Sequence, residues 1–207
     1  VIDESVFPIR RSGSTGHRAH AWLARVSAAL AAVLLGAGSA SADSIETRLQ
    51  LCASCHGRNG LPSDRTVPII WGQQTAYLRK QLNDYQDGDR DSQIMSSIAE
   101  SLSVGEISQI VTHFGDAKWP EQSNLPRPAA PAALATCKVC HNASLTGGAS
   151  PAGVAPRLAG QDSPYLNDTM TKYADGERAN SSVMSELMKD LSPADRKAIA
   201  DYLAVMR

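Results

Sequence analysis

The sequence predicts an all-α chain: two small helical domains of one kind, in tandem, behind an N-terminal address segment. Three observations carry that expectation. The chain repeats itself once, its apolar residues recur at three-and-four spacing behind helix-start signals, and no segment sustains an apolar–polar alternation. Of 207 residues, 43% are hydrophobic and 20% charged, which is globular rather than disordered composition. Twenty Lys+Arg against 21 Asp+Glu give a net charge of −1, so no basic field exists for a nucleic-acid backbone.

Residues 1–42 read as an export signal. Arg10, Arg11, Arg18 and Arg25 lead into an apolar run from Val26 to Gly38, and Ala40-Ser41-Ala42 supplies a small-x-small cleavage triplet. Thirteen apolar-run residues are too few for a permanent span, which needs about 20. Arg10-Arg11 is followed by Ser12-Gly-Ser-Thr-Gly16 instead of an apolar segment, which argues against a twin-Arg signal. Cleavage is expected after about Ala42, leaving 16 basic and 19 acidic residues in an exported, mildly acidic chain.

The repeat sets the domains. Cys52-Ala-Ser-Cys55-His56 recurs 85 residues later as Cys137-Lys-Val-Cys140-His141. At an offset of 88, Pro68, Gly72, Gln73, Tyr77, Leu78, Tyr85, Asp87, Gly88 and Arg90 match Pro156, Gly160, Gln161, Tyr165, Leu166, Tyr173, Asp175, Gly176 and Arg178. At 89, Met95, Leu102 and Ser103 match Met184, Leu191 and Ser192. Domain 1 is expected over 43–119 and domain 2 over 133–207. Four Pro between Pro120 and Pro131 make 120–132 a semi-rigid linker.

Helices follow in order. Asp43 or Ser44 is placed as the cap of a helix with Ile45, Leu49 and Cys52 on one stripe. Thr75 opens a second helix, and Ser163-Pro164 caps its counterpart. Ser103-Val-Gly-Glu106 and Ser192-Pro-Ala-Asp195 start the terminal helices, with stripes Ile107, Ile110, Val111, Phe114 and Ile199, Tyr202, Leu203, Met206. Two Phe, three Trp and five Tyr make thin cores for two such domains, so each needs a staple or a cofactor.

Cys-x-x-Cys-His is the attachment motif of c-type haem. One helical turn separates the two thiols that bond the porphyrin vinyl groups, and the next residue places a neutral imidazole under the iron. Disulfides would leave both adjacent His unexplained, a zinc site would need pairs that lie far apart, and a thioredoxin-type pair expects a βαβ context. Two covalent haem c groups are therefore expected, on Cys52 and Cys55 and on Cys137 and Cys140, with His56 and His141 as iron ligands. Met95 is the single Met of domain 1 and the expected sixth ligand there, since His/Met ligation suits an electron carrier. In domain 2, Met184 is in register with Met95 and comes first, with Met188 as runner-up, whereas Met170 and Met206 read as core.

Pro68 and Pro156 are expected on the haem rim, where a carbonyl near the imidazole Nδ1 would fix the ring, a plain turn being the other reading. The four repeat-matched Tyr suit either haem propionates or core packing. Trp71 faces Ala159 in the repeat, so the two pockets should differ, and His113 reads as a surface residue.

From Cys52 onward the chain resembles the dihaem cytochrome c4 family, on its paired Cys-x-x-Cys-His, repeated Pro-x-x-x-Gly-Gln, Tyr-Leu, Tyr-x-Asp-Gly-x-Arg and the Met before Leu-Ser. The resemblance implies two class I cytochrome c domains about a pseudo-twofold, propionates near the interface, and a periplasmic carrier with no catalytic residues. Its implied partners are redox proteins: a membrane quinol-oxidising complex and a terminal oxidase, the setting for a peripheral membrane association. The alternative is the dihaem subunit of a flavocytochrome c sulfide dehydrogenase-like enzyme, with a flavoprotein as partner. A dihaem peroxidase comes last, because each domain offers a Met in register. The long N-terminal extension and the unequal loops after His56 and His141 depart from the family.

Overall fold

The computed structural model describes residues 40–121, 126 and 128–206, with backbone alone for 40–44. Residues 1–39 of the expected export signal, and linker residues 122–125 and 127, fall outside the described part. Eight helices are described: α1 (Ala40–His56), α2 (Thr75–Asp87), α3 (Gln93–Glu100), α4 (Val104–Gly115), α5 (Leu134–His141), α6 (Ser163–Asp175), α7 (Ser182–Lys189) and α8 (Pro193–Ala204). No described helix is long and apolar enough to cross a membrane.

The helix-start signals hold at both terminal helices. Ser103 Oγ accepts from the Glu106 N–H and Glu106 Oε2 accepts from the Ser103 N–H, a complete capping box. Ser192 Oγ accepts from the Asp195 N–H in the same way. Ser103→Ala is therefore expected to cost about 1 kcal/mol, read as a lower denaturant midpoint.

Three local expectations are corrected. Helical backbone already runs from Ala40, so Asp43 and Ser44 lie inside α1 and do not cap it. Asp162 is the residue before α6, and Ser163 is its first residue, with its hydroxyl turned to Asp201. Met206 lies past the end of α8, although it still packs on the second core. A further element was not expected: Gly148–Ser150 (β1) and Gly153–Ala155 (β2) pair antiparallel. This hairpin occupies the longer of the two post-His loops, and three-residue strands are too short for a period-two pattern to register.

Two apolar cores form, one for each copy of the repeat. In the first, Leu102, Ile107, Ile110, Val111 and Phe114 are buried, with Ile45, Leu49 and Cys52 of α1 packed against them. In the second, Leu134, Leu145, Leu166, Met170, Met188, Ile199 and Leu203 are buried. Gly88 and Gly176 end α2 and α6 at φ of 80° and 82°, the left-handed turn that glycine takes without Cβ strain. That turn brings each following Arg back over its own helix: Arg90 lies 4.7 Å from the Tyr85 ring centroid and Arg178 4.6 Å from that of Tyr173.

The two halves meet reciprocally, as a twofold requires. Gln73 hydrogen-bonds the backbone of Arg157, and Gln161 hydrogen-bonds the backbone of Ile69, each at the same position of the opposite copy. Gly72 and Gly160, at φ of 69° and 79°, leave room for Trp119. A Cβ would stand 2.6 Å from the Trp119 backbone nitrogen in one case and 2.7 Å from its indole nitrogen in the other.

Candidate cofactor site

Both His residues close their helices, each directly after the second of two thiols spaced one turn apart. The thiols are unpaired, and burial pushes those of Cys52 and Cys137 up. That shift opposes the lowered thiol pKa of a dithiol redox centre. No group of three or more His, Cys, Asp or Glu among the described residues could hold a metal ion by itself. These thiols suit covalent capture.

His56 and His141 are 7% and 6% exposed, and each ring nitrogen Nδ1 lies 2.8 Å from a carbonyl, Pro68 and Pro156 respectively. A carbonyl only accepts, so Nδ1 carries the proton and Nε2 keeps its lone pair. Burial pushes both imidazoles down more than the carbonyl bonds pull them up, which favours the neutral ligand form. The carbonyl contact expected between each Pro and the imidazole Nδ1 is present in both copies.

Short helices α3 and α7 present the methionines. Ser92 Oγ accepts from the Met95 N–H at 3.3 Å and Ser181 Oγ from the Met184 N–H at 3.4 Å, so both Met occupy the same capped position. Both are half-buried on the wall of one cavity. Met170 and Met188 also reach that wall but are buried in the second core. The C-terminal carbonyls of the two short helices are held by unlike side chains. Gln86 donates to the Ala99 and Leu102 carbonyls, and Arg196 to those of Met188 and Leu191.

The cavity measures about 2010 Å³ and is lined from both copies of the repeat. A pocket for a drug-sized ligand is about 300–1,000 Å³, so this one suits large groups. Ile70, Leu78, Leu82 and Phe114 give it apolar walls on the first side, and Leu158, Leu166, Ile199 and Leu203 on the second. Two arginines stand together in its polar lining. Arg178 donates to Tyr77 and Gln81, and Arg90 donates to the same Gln81 oxygen. Burial opposes ionisation of Tyr165, but the Arg90 and Arg178 guanidiniums outweigh it and pull that phenol below its ordinary range. Arg178 Nη1 is buried with no hydrogen-bond partner. An orphaned buried guanidinium N–H calls for an anion. A flat apolar macrocycle with two carboxylate tails, fixed by two thiols and an imidazole, fits this donor set.

The structure brings the sequence-expected residues together in the two copies: Cys52, Cys55, His56 and Met95 on one side, Cys137, Cys140, His141 and Met184 on the other. Trp71 and Ala159, the unlike pair expected to distinguish the two sides, both lie outside the cavity lining: the Trp71 indole N–H donates to the Gly57 carbonyl, and Ala159 is fully buried in the second core. His113 is exposed, edge-on to Phe114 and Trp71. Sequence reasoning missed the arginine pair and the reach of Gln73 and Gln161 across the interface. Their identity in the repeat was the available signal.

Comparison with known proteins gives concordant results. The cytochrome c family profile matches residues 129–206. Cytochrome c4 of Pseudomonas aeruginosa is 29% identical over 181 residues, covering 81% of this chain and 88% of that protein. The thiosulfate dehydrogenase electron acceptor of Stutzerimonas stutzeri is 28% identical, covering 86% of this chain and 92% of that protein. Cytochrome c-554(548) of Halomonas halodenitrificans is 31% identical, covering 38% of this chain and 95% of that protein. The structure of Acidithiobacillus ferrooxidans cytochrome c4 superposes with a TM-score of 0.66 at 29% identity, covering 75% of this chain and 98% of that one.

Proposed function

The chain belongs to the dihaem cytochrome c4 family, and from that premise we propose that it is a periplasmic carrier passing electrons from a quinol-oxidising complex to a terminal oxidase. It is a dihaem c-type electron-transfer protein with two covalently bound haem c groups, not an enzyme. Bound haem supplies one-electron exchange at iron.

In this reading Cys52 and Cys55 hold one haem and Cys137 and Cys140 the other. His56 and Met95 ligate the first iron, and His141 and Met184 the second. Domain 1 takes 43–119, the linker 120–132 and domain 2 133–207. Pro68 and Pro156 orient the imidazoles and enrich their donor nitrogens. Arg178 offers its free Nη1 N–H to the carboxylate tails, with the Arg90 charge beside it. With His and Met on both irons, no position is left for a substrate. The observation that carries the reading is the pair of 2.8 Å His–Pro carbonyl bonds, each facing one cavity beside an in-register Met.

Intact mass and a redox titration with visible spectra test it together. The expected mass is that of residues 43–207 plus two haems, with a Met–iron absorption band and two one-electron waves. One haem, or a mass retaining residues 1–42, would contradict the haem count or the cleavage respectively.

A second reading is favoured by the Stutzerimonas relative, whose name makes it the acceptor for a thiosulfate dehydrogenase. As the acceptor subunit of a larger dehydrogenase, this chain would co-purify with its enzyme, and a free carrier would not.

A further inference from the structure

The geometry points to Gln73 and Gln161 as positioning residues that tune the iron-ligating imidazole of the opposite domain through a single peptide group. This rests on the reading of His56 and His141 as iron ligands.

The Pro68–Ile69 peptide group is engaged at both ends. Its carbonyl accepts from His56 Nδ1 at 2.8 Å, and its N–H donates to Gln161 Oε1 at 2.9 Å. The Pro156–Arg157 peptide group repeats the arrangement. Its carbonyl accepts from His141 Nδ1 at 2.8 Å, and its N–H donates to Gln73 Oε1 at 2.7 Å. Each relay therefore runs imidazole, peptide, glutamine, and the glutamine belongs to the other domain.

The glutamines are held for this task. Gln73 and Gln161 are 4% and 2% exposed, so water does not compete for their amides. Gln73 Nε2 donates to the Arg157 carbonyl and Gln161 Nε2 to the Ile69 carbonyl, both at 3.0 Å. Each Oε1 also accepts from the N–H of the following residue, Gln74 or Asp162, which fixes the amide plane.

Hydrogen bonds in a chain polarise one another. An acceptor on a peptide N–H shifts charge toward its carbonyl oxygen, and that oxygen then accepts more strongly from Nδ1–H. The imidazole gains anionic character and becomes a better donor to ferric iron, which lowers the potential. Gln161 thus holds the potential of haem 1 down, and Gln73 that of haem 2.

The test uses the mature dihaem protein with Gln161→Leu or Gln73→Leu, in a spectroelectrochemical titration whose two waves are assigned to haems by paramagnetic NMR. Two low-spin haems with Met–iron bands in the unsubstituted protein establish the ligand reading first. Its failure there is then distinct from failure of the relay. Losing a 10–30% polarisation is expected to raise the ferrous-to-ferric ratio at fixed potential about two- to threefold, or about 18–28 mV at 59 mV per tenfold. The pattern should be crossed: Gln161→Leu moves haem 1 alone, and Gln73→Leu moves haem 2 alone. Gln→Met variants, which fill the space without an acceptor, serve if a Leu variant does not fold and should give the same crossed pattern. A purely structural clamp would move both haems or neither. A shift in the haem of the substituted domain, in both haems, or in none would overturn the relay.

Discussion

Met95→His is expected to keep a low-spin haem in domain 1 and to lower its potential, with domain 2 unchanged. Met184→His is expected to do the converse. A thioether accepts electron density from iron and favours the ferrous form, whereas an imidazole donates and favours the ferric form. Axial ligation spreads haem potentials over about 0.8 V, and exchange of one ligand should take a drop of order 0.1–0.3 V. The positions permit the swap. Both Met are half-buried at the third position of a Ser-capped helix, so a side chain of similar reach can turn into the cavity without opening a core. Potentiometry with the Met–iron band as monitor reads the result. If Met184→His leaves both waves and the band intact, Met184 is not the ligand. Met188, 4% exposed within the second core, would then be tested next.

That the effect is assigned to particular residues before any coordinate reflects what the sequence makes legible. Covalent attachment demands thiols at fixed spacing with His directly after, so Cys52, Cys55 and His56 are readable as chemistry. The repeat then converts a weak inference into a strong one: Met95 has no rival, and Met184 inherits its register. Helix starts at Ser103 and Ser192 are legible because a cap is a local bond between residues three apart. What the sequence hides is non-local. Gln73 finds the Arg157 backbone 84 residues away, and nothing in its neighbours announces that reach. Arg90 and Arg178 are legible as a repeated pair, but not the way the glycine turn folds them back over tyrosines. The β1–β2 hairpin is too short for periodicity to show.

Phe114→Ala is expected to destabilise domain 1 by about 3–5 kcal/mol, the range for removing a buried aromatic side chain. Phe114 is 1% exposed, sits centrally in the first core, and meets the Trp71 ring edge-on at 5.5 Å. It also walls the cavity, so its loss opens both the core and the cavity wall. The repeat supplies a control. Leu203 holds the equivalent place in the second core, also 1% exposed, and Leu203→Ala should cost about 2–5 kcal/mol in domain 2. The cross-domain Gln bonds contribute about 0.5–1.5 kcal/mol each. Four of them together contribute about 2–6 kcal/mol, a range that overlaps the Phe114 loss. Phe114→Ala is expected to separate the two transitions, with the domain 1 Met–iron band fading at lower denaturant than that of domain 2. Guanidinium titration followed at both bands measures this, the haems being distinguished by Met95→His or Met184→His in the same background. A midpoint change worth less than about 1 kcal/mol would mean that Phe114 does not support the first core. A single shared transition at reduced midpoint would mean that the interface holds the two domains as one cooperative unit.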